Sequence, residues 1–224
     1  MDSKIDPAEL ETTKGLLKDF AADTGLSAEE VYRKSWSRFN ILEQAPIHSI
    51  FHESRISRFL QRPIYAKLPI VFHRFIYDGL FTFAGNYRSK DDPYGGKIYY
   101  GKQHAQRRKP KFDGDQPDVI EDGIIEAVLH LKKRPRDPLY NAVRFYQKFV
   151  NVHPFYDANG RIGRLITNMY LNTHNLSLSW SEFDSKSKFI KKLNRCHVKP
   201  DEDNFGYLVE YLRKFTLNIK ELEE

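Results

Sequence analysis

The chain has 224 residues, a formal net charge of +6 and 40% hydrophobic residues, with sixteen Phe and thirteen Tyr, which is enough apolar surface to exclude a disordered polypeptide. The single cysteine, Cys196, excludes an internal disulfide and fits a reducing compartment, and no run approaches the ~20 apolar residues of a membrane helix. The start lacks a basic segment followed by an apolar one, so a soluble, cytoplasmic protein without membrane contact is expected.

In chain order the pattern is mostly helical. A first helix is expected over residues 7–22. Ser27-Ala28-Glu29-Glu30 has the capping-box form, so a second helix begins there and carries Val31, Trp36 and Phe39. Ile70, Phe72, Phe75 and Ile76 give helical spacing to residues 69–80. The stretch 95–101, with Ile98, Tyr99 and Tyr100 between glycines, reads instead as a strand, and a second extended piece around 109–112 would complete a small hairpin. Apolar positions 120, 124, 125, 128 and 131 return to helical spacing. Pro138 opens the next helix, with Leu139, Ala142, Val143, Tyr146, Phe149 and Val150 on its apolar stripe. Ile162, Leu165, Ile166, Met169 and Tyr170 form another stripe, and Leu208, Tyr211, Leu212, Phe215 and Ile219 a last one. The expected fold class is all-α with one minor β-hairpin inserted between helices.

Between the two most regular helices lies His153-Pro154-Phe155-Tyr156-Asp157-Ala158-Asn159-Gly160-Arg161-Ile162-Gly163-Arg164. The small residues at 158, 160 and 163 let a ligand approach backbone N–H groups at a helix N-terminus, a natural anion site. Asn159 adds an amide donor, and Arg161 and Arg164, three apart on one helix, add guanidinium forks suited to phosphate. Asp157 is a hard carboxylate of the kind Mg²⁺ takes beside nucleotide phosphates, and His153 can accept a proton near neutral pH.

This segment resembles the signature of the Fic family, His-x-Phe-x-(Asp/Glu)-(Ala/Gly)-Asn-(Gly/Lys)-Arg-x-x-Arg, and every defined position is met. Phe81-Thr82-Phe83-Ala84-Gly85-Asn86-Tyr87-Arg88 is similar to the family's upstream F-x-W-A-G-x-x-R segment, with Phe83 in place of Trp. The resemblance covers a core of about residues 65–215. It implies a Fic-type helical bundle over 61–224, with the hairpin as the flap that positions a target; residues 1–60 are expected as a helical extension from their own pattern, and about the first 50 carry no resemblance. It implies an enzyme that moves AMP from ATP to a Tyr, Thr or Ser hydroxyl of another protein. His153 would be the general base, and Asp157 would bind Mg²⁺. Asn159, with the backbone at Ala158, Gly160 and Arg161, would form the anion hole. Arg161 and Arg164 would hold the outer phosphates, and Phe155 would be a buried anchor. Two rivals stay open: a Doc-like phosphotransferase, whose branch has Lys where Gly160 stands, and a non-catalytic nucleotide-binding module of a toxin–antitoxin pair.

The family's inhibitory helix, (Ser/Thr)-x-x-x-Glu-(Gly/Asn), has one partial match, Ser49 to Glu53 followed by Ser54 where Gly or Asn is expected, so Glu53 is the candidate to cover Arg164; an antitoxin partner is the alternative. Residues 96–102 imitate a phosphate-binding loop, but Gln103 replaces its Mg²⁺-binding hydroxyl and Ile-Tyr-Tyr reads as strand. Lys102 and His104 read as solvent-exposed. His48 and His52 have metal-ligand spacing but lack the intervening catalytic Glu, and read as surface histidines. His73, His130, His174 and His197 are isolated in sequence and read as packing residues. The basic clusters at 107–111 and 132–136 contain proline and no interleaved aromatics, so they read as solvated loops and not as a nucleic-acid surface.

Overall fold

A computed structural model describes residues 5–44, 67–100, 112–132, 137–181, 183 and 186–219. Among them are eight α-helices: α1 Pro7–Phe20, α2 Ala28–Gln44, α3 Leu68–Tyr77, α4 Ile120–Lys132, α5 Pro138–Val152, α6 Asn159–Asn172, α7 Lys186–Val198 and α8 Glu202–Arg213. Two short antiparallel pairs accompany them: β1 Tyr99–Tyr100 with β2 Phe112–Asp113, and β3 Leu176–Leu178 with β4 Thr216–Asn218. The all-α expectation with an inserted hairpin holds. None of these helices is long and apolar enough to cross a membrane.

The helix starts follow from local chemistry. Asp6 accepts from the Ala8 N–H at 2.9 Å with Pro7 at the first position, and Asp137 does the same for α5 ahead of Pro138. At α2, Ser27 and Glu30 close the capping box: the Ser27 N–H donates to Glu30 Oε2 at 2.8 Å and the Glu30 N–H to Ser27 Oγ at 3.3 Å. Helix α3 stops at Tyr77, short of the expected 80, because Gly79 adopts φ 66° and Arg38 of α2 takes the freed Asp78 carbonyl at 2.6 Å.

Helix α5 is the centre of the molecule. Its residues are buried around nearly the whole circumference, with α4 and α6 packed on it and α7 and α8 closing the remaining side. Helices α1 and α2 join the same core through Leu16, Phe20, Val31 and Phe39. The end of α1 is tied to the segment after α3, where the Thr82 N–H donates to the Phe20 carbonyl at 2.9 Å.

Two differences from the sequence expectation concern the C-terminal third. The last helix ends at Arg213, where an unbroken pattern to 219 was expected; Thr216 turns its hydroxyl back onto the Leu212 carbonyl (3.1 Å), and 216–218 pairs with β3 instead. Helix α7 was not expected, yet Phe189, Leu193 and Cys196 step by four and three along its buried side.

Candidate active site

The loop joining α5 to α6 is held in an unusual shape by buried groups. His153 ends α5 at φ 52°, in the left-handed region. The Arg88 guanidinium, 3% exposed, secures that bend by donating to the carbonyls of His153 (2.8 Å), Val152 (3.3 Å), Asp115 (2.8 Å) and Gly96. The carbonyls of Val152 and His153 lie at the end of α5, which leaves them without helical partners. Phe155 is fully buried, its ring stacked 4.0 Å from that of His73. His73 in turn accepts from the Gly85 N–H at 2.9 Å, so the upstream Phe-x-Phe-Ala-Gly segment supports the loop from below.

Asn159 closes the loop. Its Oδ1 accepts from the Phe155 N–H (3.0 Å) and its Nδ2 donates to the Phe155 carbonyl (2.8 Å), with only 3% of the residue exposed. The amide read as an anion donor is thus engaged within the loop, and what it shapes is the backbone turn. Ala158, just before it, has φ 62° as the N-cap of α6 and offers no side-chain cap, so the first N–H groups of α6 remain open among the described residues.

Asp157 and Arg161, four residues apart, form an ion pair at 3.1 Å between Oδ2 and Nη2. The Tyr77 hydroxyl sits between them, donating to Asp157 Oδ2 at 2.5 Å and accepting from Arg161 Nη2 at 2.6 Å. Arg161 also lies over the Trp36 ring at 4.7 Å, and the Trp36 indole N–H donates to Glu9 at 3.0 Å. Its Nη1 is buried with no hydrogen-bond partner among the described residues. Burial pushes the Asp157 carboxyl up, but the Arg161 charge, the Tyr77 hydroxyl and the Ala158 N–H outweigh it and leave it below the ordinary carboxylate value. The carboxylate is therefore ionised at neutral pH.

His153 stacks on Tyr100 of the hairpin, ring centroids 4.2 Å apart. Its Nδ1 lies 3.0 Å from the Val150 carbonyl, which can only accept, so Nδ1 carries the proton and Nε2 keeps its lone pair. Burial lowers its pKa to about 4, opposed by the Val150 contact and assisted by the Arg88 charge.

All seven site residues named from the sequence converge on one cleft of about 590 Å³: His153, Asp157, Ala158, Asn159, Gly160, Arg161 and Arg164 line it. Glu9, Thr12 and Trp36 from α1 and α2, Ile98 and Tyr99 from the hairpin, and aromatic residues including Tyr146 and Trp180 add to the wall. Gly163 is a correction. A Cβ there would stand 3.1 Å from the Tyr146 ring and 3.2 Å from Phe149, so its smallness serves the α5–α6 contact and not a ligand. A Cβ at Gly160 would meet only the Tyr146 hydroxyl, at 3.9 Å. No group of three or more metal-binding side chains occurs among the described residues. One ionised carboxylate beside open N–H groups instead fits a cation such as Mg²⁺ that arrives with phosphates and keeps waters. Glu53, Lys102, His104, His48, His52 and the cluster 107–111 lie outside the described residues, as do 133–136.

Residues 64–171 match the model of the Fic/DOC family. That segment is a Fic domain. Solved Fic structures share the fold over most of the chain. A Fic-domain effector protein of Bartonella sp. AR 15-3 aligns at TM-score 0.63 with 14% identity, over 92% of this chain and 94% of that one. BepC of Bartonella tribocorum, solved with bound AMPPNP, aligns at 0.57 with 14% identity, over 88% and 91%. A Fic family protein of Desulfovibrio desulfuricans G20 aligns at 0.54 with 16% identity over 95% of this chain, which spans 62% of that longer protein.

Proposed function

We propose that this Fic domain transfers AMP from ATP to a hydroxyl side chain of another protein. The observation that carries the reading is the buried Arg161 Nη1, which has no partner among the described residues and belongs to a side chain lining the cleft at the uncapped start of α6. A buried cationic donor left unmade is costly, and an anion entering the cleft removes that cost. Backbone N–H groups at a helix start and a guanidinium fork together suit phosphate. AMPPNP bound in the BepC structure, which has the same fold, supports a nucleotide as that anion.

In this reading the hydroxyl oxygen of the target attacks the α-phosphorus while His153 Nε2 takes its proton. The bond from the α-phosphorus to the bridging oxygen breaks, and pyrophosphate leaves against Arg161 and Arg164. Asp157 would hold Mg²⁺, which when bound neutralises phosphate charge. The 1–60 segment contributes Glu9, Thr12 and Trp36 to the cleft wall and is proposed as an integral part of the site. ATP labelled separately in its α- and γ-phosphates, incubated with the protein and a lysate, tests the assignment. Peptides carrying the α-label and an AMP-sized mass are expected. A γ-label with a phosphate-sized mass would refute AMP transfer in favour of phosphotransfer.

A further inference from the structure

We propose that Tyr77 is a positioning residue that keeps Asp157 and Arg161 available to ligand by preventing them from pairing fully with each other. This role rests on the reading of the cleft as a phosphate and cation site. Tyr77 belongs to α3, eighty residues before Asp157 in sequence, and is 1% exposed. Its ring is fixed among His73, Phe81 and Phe83, with centroids 5.0, 5.4 and 5.8 Å away. The hydroxyl has one hydrogen to give and lone pairs to receive, and both capacities are used on the site: it donates to Asp157 Oδ2 and accepts from Arg161 Nη2.

A carboxylate offers about four acceptor positions. Asp157 Oδ2 takes Tyr77 and Arg161, and Oδ1 takes the Ala158 N–H at 2.6 Å, leaving one lone pair on Oδ1. On Arg161, Nη2 serves Tyr77 and Asp157, leaving Nη1 unengaged among the described residues. An aspartate and an arginine already in contact at 3.1 Å would otherwise close into a bidentate pair, two parallel N–H···O bonds that consume Nη1 and Oδ1 together. The wedged hydroxyl holds them to a single shared contact. The carboxylate oxygen and the guanidinium nitrogen that ligands need are the two that remain.

The test is Tyr77→Phe, which removes one atom and keeps the packed ring. Tyr140→Phe is the matched control. That hydroxyl likewise links an arginine and a carboxylate, accepting from Arg144 at 3.0 Å and donating to Glu202 at 2.6 Å, but none of the three lines the cleft. Mn²⁺ binding in the presence of AMPPNP is followed by electron paramagnetic resonance, and AMPPNP binding by calorimetry, on variants shown by circular dichroism to be folded. Tyr77→Phe is expected to weaken Mn²⁺ by about 10- to 100-fold, as loss of a ligand's hydrogen-bond partner does, and to weaken AMPPNP alongside it. Tyr140→Phe is expected to stay within about twofold of the unaltered protein. An unaltered protein that binds Mn²⁺ and AMPPNP, with Tyr77→Phe binding both equally well, overturns the role of Tyr77 alone. An unaltered protein that binds neither overturns the reading of the cleft and the role of Tyr77 with it.

Discussion

Gly160→Ala separates a glycine kept for ligand from one kept for fold. Glycine is required where φ is positive, where a neighbour leaves no room for Cβ, or where a ligand must approach. Gly160 is not among the positive-φ glycines, and a Cβ there would make only an ordinary contact, 3.9 Å from the Tyr146 hydroxyl. The first two reasons are thus absent. Alanine in a helix is favoured over glycine by up to about 1 kcal/mol, less in a first turn such as this one. For a chain of this size that raises the melting temperature by about 1–4 °C. Ligand binding should move the other way, because Gly160 lines the cleft and a methyl group there takes space from a ligand approaching the first N–H groups of α6. Loss of one charge-assisted hydrogen bond, about 1.5–3 kcal/mol, weakens nucleotide binding by roughly 10- to 100-fold. Differential scanning calorimetry and AMPPNP titration on the same sample read both effects. A variant that binds AMPPNP as well as the unaltered protein would refute the assignment of residue 160 to the phosphate cradle.

Two further outcomes follow from burial. Arg161→Leu keeps bulk over Trp36 but strips Asp157 of its counter-charge; AMPPNP titration should show binding lost, and the Asp157 carboxyl, deprived of the charge that lowers it, should titrate higher by NMR. His73 accepts from Gly85 and is fully buried, with a pKa lowered to about 3 by burial, so the folded chain resists a proton that the unfolded chain takes near pH 6.5. Its stabilising contribution is complete above pH 6.5 and shrinks as pH falls toward 3, by about 1.4 kcal/mol per pH unit. His153 and His197, each lowered to about 4, act in the same direction. Melting temperature should therefore drop by several degrees or more between pH 7 and pH 5, and a flat profile would contradict the burial argument.

The signature loop was legible because its parts lie within twelve consecutive residues at the junction of two helices. What could not be read is the work done from a distance. Tyr77 carried no signal beyond its place in the expected helix over 69–80, since its hydroxyl meets Asp157 across eighty positions. Glu9 and Trp36 reach the cleft only because α1 and α2 fold back over α6. The letter G at 160 and at 163 is the same in sequence; which absent Cβ faces a cleft and which faces Tyr146 is a matter of helix phase against α5. Helix α7 was hidden by its lysines, although the spacing of Phe189, Leu193 and Cys196 was available. Strands β3 and β4 are three residues each and owe their existence to one another, forty positions apart.

The basicity of His153 connects the two halves of the proposed chemistry. In the free chain its pKa of about 4 makes it neutral at pH 7, with the lone pair on Nε2 but too weak a base for its task, which is best served near the working pH. Burial is the main cause and the Arg88 charge a lesser one, and both act against the imidazolium. Phosphates entering the cleft that His153 lines bring negative charge, which favours the imidazolium and should raise the pKa by about one to three pH units. The base then reaches useful strength only when the nucleotide is present. Neutral His153 is the active form, so activity is lost as pH falls through its pKa. The acid limb of kcat/KM reports the free enzyme and should lie near pH 4; the acid limb of kcat reports the complex and should lie well above it. Measuring both limbs, with the His153 ring titrated by NMR with and without AMPPNP, checks the shift directly. Coincident limbs and an unmoved ring resonance would mean that the phosphates and the base do not share the cleft.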